Sequence, residues 1–249
     1  DAHAVWDTGN ASGHGYDHNT ADISGNFYHV PYGSTSVKKW NGSSWSSLPD
    51  WTQNTNATGG LTWTPWGGGS GMLFYNDGIQ GLLQYPFSGG WNSISGVAIT
   101  GSYHDFSEYN STADVLILGG GNGSAYYKCT SSLAVSSIAA PSTGSGLSGF
   151  TISANAGDQG IVCSDPNAAK LIARYVEDGR WAEYNITTNT WTQLTQSSGN
   201  GATPQTGLPN MGIDSGNAEI CVSLPGYGCT MWMQHPSSGN LIAWLYRHS

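Results

Sequence analysis

Apolar residues come in short runs along the chain, each cut by Gly, Asn, Asp or Ser about every 8–12 residues. Within the runs, apolar and polar positions tend to alternate, the period of a strand rather than a helix. The best helical stretch, Asn167-Ala-Ala-Lys-Leu-Ile-Ala-Arg-Tyr-Val176, turns alternating and β-branched within one turn. The pattern predicts an all-β chain built as a sandwich, a barrel or a propeller.

Internal repeats separate these three. Four segments share an apolar strand, a Gly- or Asn-rich turn, a strand ending in an aromatic, a tight polar turn and a short strand opening with Trp. They are Ser36–Leu48 with Trp45, Gly81–Ile94 with Trp91, Ser124–Ile138 with Ala134 in place of Trp, and Arg180–Leu194 with Trp191. The chain ends supply a fifth copy. Leu241–Ser249 reads as a third strand with nothing after it, and Asp1–Thr8, with Trp6, as a fourth strand with nothing before it. Five units in 249 residues give about 50 residues each. The expected fold is a five-bladed β-propeller of four-stranded antiparallel sheets, closed by pairing of the N- and C-terminal strands. Its blades cover 13–48, 60–94, 103–138, 149–194 and 220–249 plus 1–8, within a single domain spanning 1–249. Thr195–Ala218 is read as a long blade connection.

Asp114-Val-Leu-Ile-Leu-Gly-Gly-Gly121, followed by Tyr126-Tyr127, and Tyr184-Asn-Ile-Thr-Thr-Asn-Thr-Trp191-Thr-Gln-Leu194 match an apolar strand with a glycine pair and a fixed Tyr-to-Trp spacing. On these motifs the chain resembles the kelch, or galactose-oxidase-like, propellers. The glycine pair is missing from the repeats ending at Trp45 and Trp191. Oxidase chemistry in that superfamily needs a Cys beside a radical Tyr, a second Tyr and two His on copper. Tyr227-Gly-Cys229 and Tyr246-Arg-His248 offer the parts only on middle or outer strands, so no cofactor is expected.

Composition narrows the functional classes. Asp, Glu, Lys and Arg make up 9% of the chain, and the formal net charge is −9. Affinity for nucleic acid comes mainly from Lys and Arg neutralising phosphates, and only seven such residues are present. No basic amphipathic stretch or apolar run of about 20 residues suggests a membrane partner. Few charges, much Ser, Thr, Asn and Gly, and four cysteines suggest an extracellular, secreted or virion-surface location. The start at Asp1, without Met or an apolar leader, fits a processed or trimmed chain. Asn10, Asn41, Asn56, Asn110, Asn122 and Asn185 lie in Asn-X-Ser/Thr sequons, most of them expected by chance in so polar a chain.

Candidate chemistry is sparse. Cys221-Val-Ser-Leu-Pro-Gly-Tyr-Gly-Cys229 is symmetric about its Pro-Gly, so a hairpin there would set Cys221 opposite Cys229. Cys129 and Cys163 fall in neighbouring blades. Both pairs are disulfide candidates; the alternative is that all four are small buried hydrophobes. No pair has zinc spacing. His14, Tyr16 and His18 share one face of the expected innermost strand of blade one, and Tyr103-His104 opens blade three. They read as ligand-binding groups at one channel mouth or as hydrogen-bonded lining. Trp63 and Trp66, beside Gly67–Gly71, are a stacking platform for sugar rings or ordinary interblade packing.

Glycoside hydrolysis needs two carboxyls about 5–9.5 Å apart. Asp17, Asp105, Glu108, Asp214 and Glu219 are the acids available, but none recurs in a distinctive motif. Phe150-Thr-Ile-Ser153, read as the innermost strand of blade four, has none. The expectation is a non-enzymatic interaction or structural module that binds glycans or other protein subunits. The alternative is a secreted carbohydrate-active enzyme, a glycosidase or lyase, with carboxylates at the channel mouth.

Overall fold

The structure, a computed structural model, describes residues 19–31, 34–51, 59–77, 81–99, 105–120, 125–152, 160–175, 178–194, 208, 211, 219–234 and 241–248. They form a five-bladed β-propeller of antiparallel sheets. Blade one holds β1 (Asn19–Ala21), β2 (Phe27–His29), β3 (Lys38–Trp40) and β4 (Trp45–Ser47). Blade two holds β5 (Gly60–Thr64), β6 (Met72–Asp77), β7 (Gly81–Tyr85) and β8 (Asn92–Ile94). Blade three holds β9 (Asp105–Asn110), β10 (Val115–Gly120), β11 (Tyr126–Thr130) and β12 (Val135–Ser137). Blade four holds β13 (Gly160–Ser164), β14 (Lys170–Tyr175), β15 (Trp181–Asn185) and β16 (Thr190–Leu194). Blade five shows β17 (Glu219–Leu224), β18 (Cys229–Gln234) and β19 (Ile242–Tyr246). The expected fourth strand of that blade, residues 1–8, lies outside the described residues.

The polar punctuation works through Asx turns, in which a side-chain carbonyl stands in for a backbone acceptor. Asp22 Oδ1 accepts from the backbone N–H groups of Ser24 and Asn26, turning β1 into β2. Asn41 Oδ1 accepts from Ser43 and Ser44, and Asn185 Oδ1 from Thr187 and Thr188. The repeated Tyr-to-Trp spacing is a cross-strand pair. Tyr184 sits opposite Trp191, with ring centroids 5.0 Å apart.

β1, β5, β9, β13 and β17 are the first strands of their sheets, and each packs against the next in that order. Side chains alternate between the two faces of each blade, so every blade feeds two seams. Tyr28, Val30 and Val37 of blade one meet Leu61, Leu73 and Tyr75 of blade two. Phe74 and Leu82 of blade two meet Leu116 and Leu118 of blade three. Phe106 and Ile117 of blade three meet Leu171, Ala173 and Tyr184 of blade four. Ile161, Cys163 and Trp181 of blade four meet Trp232 of blade five. The far face of blade five is different. Ile220, Val222 and Leu245 are 55%, 39% and 69% exposed, leaving an apolar surface uncovered among the described residues.

One strand assignment is corrected. Phe150–Ile152 is not the innermost strand of blade four, which is β13. Phe150 and Ile152 instead fill the seam with blade three, where the Ile152 N–H donates to Tyr126 Oη at 3.2 Å. Apolar residues on a blade connection mimic a strand when they plug a seam. Among the described residues no helix is long and apolar enough to cross a membrane.

Candidate functional site

The channel wall is where side chains from several blades can meet, so the acids there decide what chemistry is available. Asp105 and Ser107 share one face of β9, and Phe106 and Glu108 the other. Ser107 faces blade two, where its Oγ lies 2.6 Å from Thr62 Oγ1. Asp105, fully buried, is therefore turned to the same seam. Glu108 faces blade four and accepts from the Ser164 N–H at 3.0 Å. Glu219 turns into the seam of blades four and five, where Arg174 Nη1 donates to its Oε2 and Gln234 Nε2 to its Oε1 at 2.8 Å. Asp165, just past β13, spends Oδ1 on the Asn167 N–H at 2.8 Å. These acids are spread over three seams. Glu108, Glu219 and Asp165 are each engaged by a hydrogen-bond donor of their own or a neighbouring blade.

Glu108 has its proton displaced into a useful range. It lies deep in the wall with a partly open face, and burial pushes its pKa up to about 8, opposed by the Ser164 N–H. Between the ordinary carboxyl value of 4.5 and about 8, the folded chain keeps a proton that the unfolded chain has released. Stability therefore falls as pH rises through that window. Glu108→Gln keeps an acceptor for Ser164 and removes the charge. We expect its melting temperature to exceed that of the parent at pH 9 and to match it near pH 4. Equal melting temperatures at both pH values rule out this buried acid.

The two tryptophans do not form one platform. Trp66 is 6% exposed, lies in the seam of blades two and three, and donates from Nε1 to Asp114 Oδ1 at 2.6 Å. Trp63 lies against the opposite seam, with Leu61 and Tyr75. Gly71, at φ +75°, leaves room for the Trp63 indole, which a Cβ there would strike. Of the two alternatives, sugar platform or interblade packing, the two rings take the packing position, each in its own seam. His14, Tyr16, His18, Tyr103 and His104 lie outside the described residues. A histidine not singled out by sequence, His29, is buried, with Nδ1 2.7 Å from Asn19 Oδ1; burial lowers its pKa and favours the neutral ring.

None of the four cysteines takes part in a disulfide. The turn after β17 runs through Pro225–Tyr227 and a left-handed Gly228, so Leu224, not Cys221, stands opposite Cys229. Cys221 is opposite Trp232, three residues from Cys229, which puts the two cysteines on opposite faces of the sheet. Cys129 faces blade two and Cys163 faces blade five. Neither expected disulfide can form without rebuilding a blade. Cys163 instead packs against Trp232 and Cys221 of blade five. Among the described residues, no group of three His, Cys, Asp or Glu side chains is placed to hold a metal ion.

Sequence reading passed over Arg174, yet a lone Arg inside Leu171-Ile-Ala-Arg-Tyr175 is itself a signal. An apolar strand buries such a charge only beside a carboxylate. Asn110, one of the sequons, is fully buried. Its Nδ2 donates to Ser164 Oγ at 2.9 Å and to the Ala168 carbonyl at 2.8 Å, so it is a strut between blades and closed to glycosylation.

No protein-family model and no curated protein matches the chain. Solved structures match at the level of fold. A catalytically inactive virginiamycin B lyase from Staphylococcus aureus, solved with quinupristin, aligns with TM-score 0.53 and 12% identity, covering 92% of this chain and 68% of that one. A streptogramin B lyase aligns with TM-score 0.54 and 10% identity, covering 92% and 69%. A chain of the mitotic checkpoint complex aligns with TM-score 0.50 and 11% identity, covering 92% and 61%. At such identities the likeness is to the propeller architecture alone.

Proposed function

We propose that the chain is a non-enzymatic interaction module of an extracellular or virion surface, and that it binds glycans. The observation that carries this reading is the engagement of Glu108, Asp165 and Glu219. Glu219 is consumed by Arg174 and Gln234, Glu108 takes the Ser164 N–H, and Asp165 the Asn167 N–H. Hydrolysis requires an acid–base pair poised over a substrate, whereas these groups hold blades and loops together. Weak recognition of hydroxylated ligands needs only rings that stack and polar edges that hydrogen-bond. The sequence offers His14, Tyr16, His18, Tyr103 and His104 for that role near the starts of innermost strands. Kinship with kelch-type propellers, resting on Asp114–Gly120 and the Tyr184-to-Trp191 spacing, belongs to the same proposal, as does membership of a single domain.

A glycan array probed with the full chain tests the reading. We expect binding of roughly millimolar to micromolar strength. His18→Ala and His104→Ala should weaken it at an unchanged melting temperature. An array without hits removes the glycan partner and leaves binding of other protein subunits. Release of reducing sugar from a polysaccharide panel overturns the non-enzymatic reading in favour of a carbohydrate-active enzyme.

A further inference from the structure

Blades four and five meet through rows of side chains set by strand period. On β17, Glu219, Cys221 and Ser223 share the face turned to blade four. On blade four, Ile161 stands opposite Arg174, and Cys163 opposite Ile172. The seam is consequently zipped level by level. Arg174 holds Glu219 at one level, and Cys163 meets Cys221 at the next. Trp181 packs on Trp232 with ring centroids 4.6 Å apart. Farther out, Glu183 takes Lys170 Nζ at 2.9 Å and meets His248, which follows β19. Cys163 is fully buried and Cys221 keeps part of its surface open.

We propose that Cys163 and Cys221 form a redox site, a reversible disulfide that ties blade five to blade four. The inference is independent of glycan binding. Two thiols packed in one cluster from facing strands, each held by its own sheet, differ from an isolated buried cysteine. The two side chains pack in one cluster at one level of the seam, and that of Cys221 is open to a small reagent. The oxidant is a low-molecular-weight disulfide such as oxidised glutathione. Cys221 loses its proton to solvent and attacks one glutathione sulfur, breaking that S–S bond and releasing one glutathione thiolate, which takes a proton from water. Cys163 then loses its proton and attacks the Cys221 sulfur of the mixed disulfide, forming the Cys163–Cys221 bond and releasing the second glutathione. Two protein thiols are oxidised by two electrons, and one small disulfide is reduced to two thiols. The bond closes a loop of roughly 60 residues, long enough to restrict the unfolded chain substantially.

The test treats the native full chain with oxidised glutathione, alkylates remaining thiols and maps the peptides by mass. We expect two alkylatable thiols, a Cys163–Cys221 cross-linked peptide, and a melting temperature raised by about 5–10 °C that returns on reduction with dithiothreitol. Cys129→Ser and Cys229→Ser should keep the cross-link, and Cys163→Ser and Cys221→Ser should lose it. Four alkylated thiols in the treated parent chain, a lasting glutathione adduct on Cys221, or a cross-link between any other pair overturns the proposal.

Discussion

Deleting residues 1–8 should lower the melting temperature by about 10 °C or more. The reason is a mismatch between the two ends of the row of blades. Four seams are filled by interdigitating side chains, from the Tyr28–Tyr75 contact region of the first to the Trp181–Trp232 pair of the last. Blade five carries three strands among the described residues, where each other blade carries four. Its last strand, β19, shows Ile242 44% and Leu245 69% exposed. An uncovered edge strand with apolar side chains is a template for aggregation unless another strand takes it. The repeat pattern assigns that strand to Asp1–Thr8, with Trp6 in the place held by Trp45, Trp91 and Trp191 elsewhere. Loss of a large buried aromatic costs about 3–5 kcal/mol. In a chain of this size each kcal/mol lowers the melting temperature by about 2–4 °C. Calorimetry of the truncated and full chains measures the difference. A truncated chain melting within about 2 °C of its parent would falsify closure by these residues, as would truncation without any rise in self-association.

The number and order of the blades were legible because the turns that separate strands are chemical events. Asp22, Asn41 and Asn185 turn the chain with their own side chains, and the Tyr184–Trp191 pair marks one hairpin in two letters. What faces what was less legible, because face depends on register and register on a single residue of turn length. The Cys221–Cys229 expectation failed there. The turn centres beyond Pro225-Gly226, the pairing slips to Leu224 with Cys229, and Cys221 goes to the opposite face, onto Cys163. Trp63 and Trp66 are three residues apart, and that odd spacing across the end of β5 sends them to different seams rather than to one platform. The contacts that matter most between blades, Glu108 with Ser164 and Arg174 with Glu219, join residues far apart in the chain. A single sequence shows each partner's oddity, a charge in an apolar strand, without showing who answers it.

Arg174→Met should destabilise the chain by about 3–5 kcal/mol, the cost of leaving a buried charge unanswered. Arg174 and Glu219 are both fully out of solvent, with side-chain exposures of 0% and 2%. The carboxylate holds Gln234 Nε2 on its other oxygen, and Arg174 Nη2 donates to the Met211 carbonyl at 3.2 Å. The guanidinium also lies 6.0 Å from the Trp181 ring, so the pair, the amide and the indole form one interlocked unit in the last seam. With Met in place of Arg, Glu219 keeps the Gln234 amide but loses its counter-charge, and it must take up a proton or open the seam. Reversing the logic gives the decisive comparison. The double variant Arg174→Met, Glu219→Leu removes both charges together and should recover most of the loss, because paired burial of ions contributes little beyond an apolar replacement of similar volume. Urea unfolding at pH 7 measures both variants, with the m-value checking that the denatured state is unchanged. A double variant as unstable as Arg174→Met alone means that packing around Trp181, rather than the stranded Glu219 carboxylate, sets the cost.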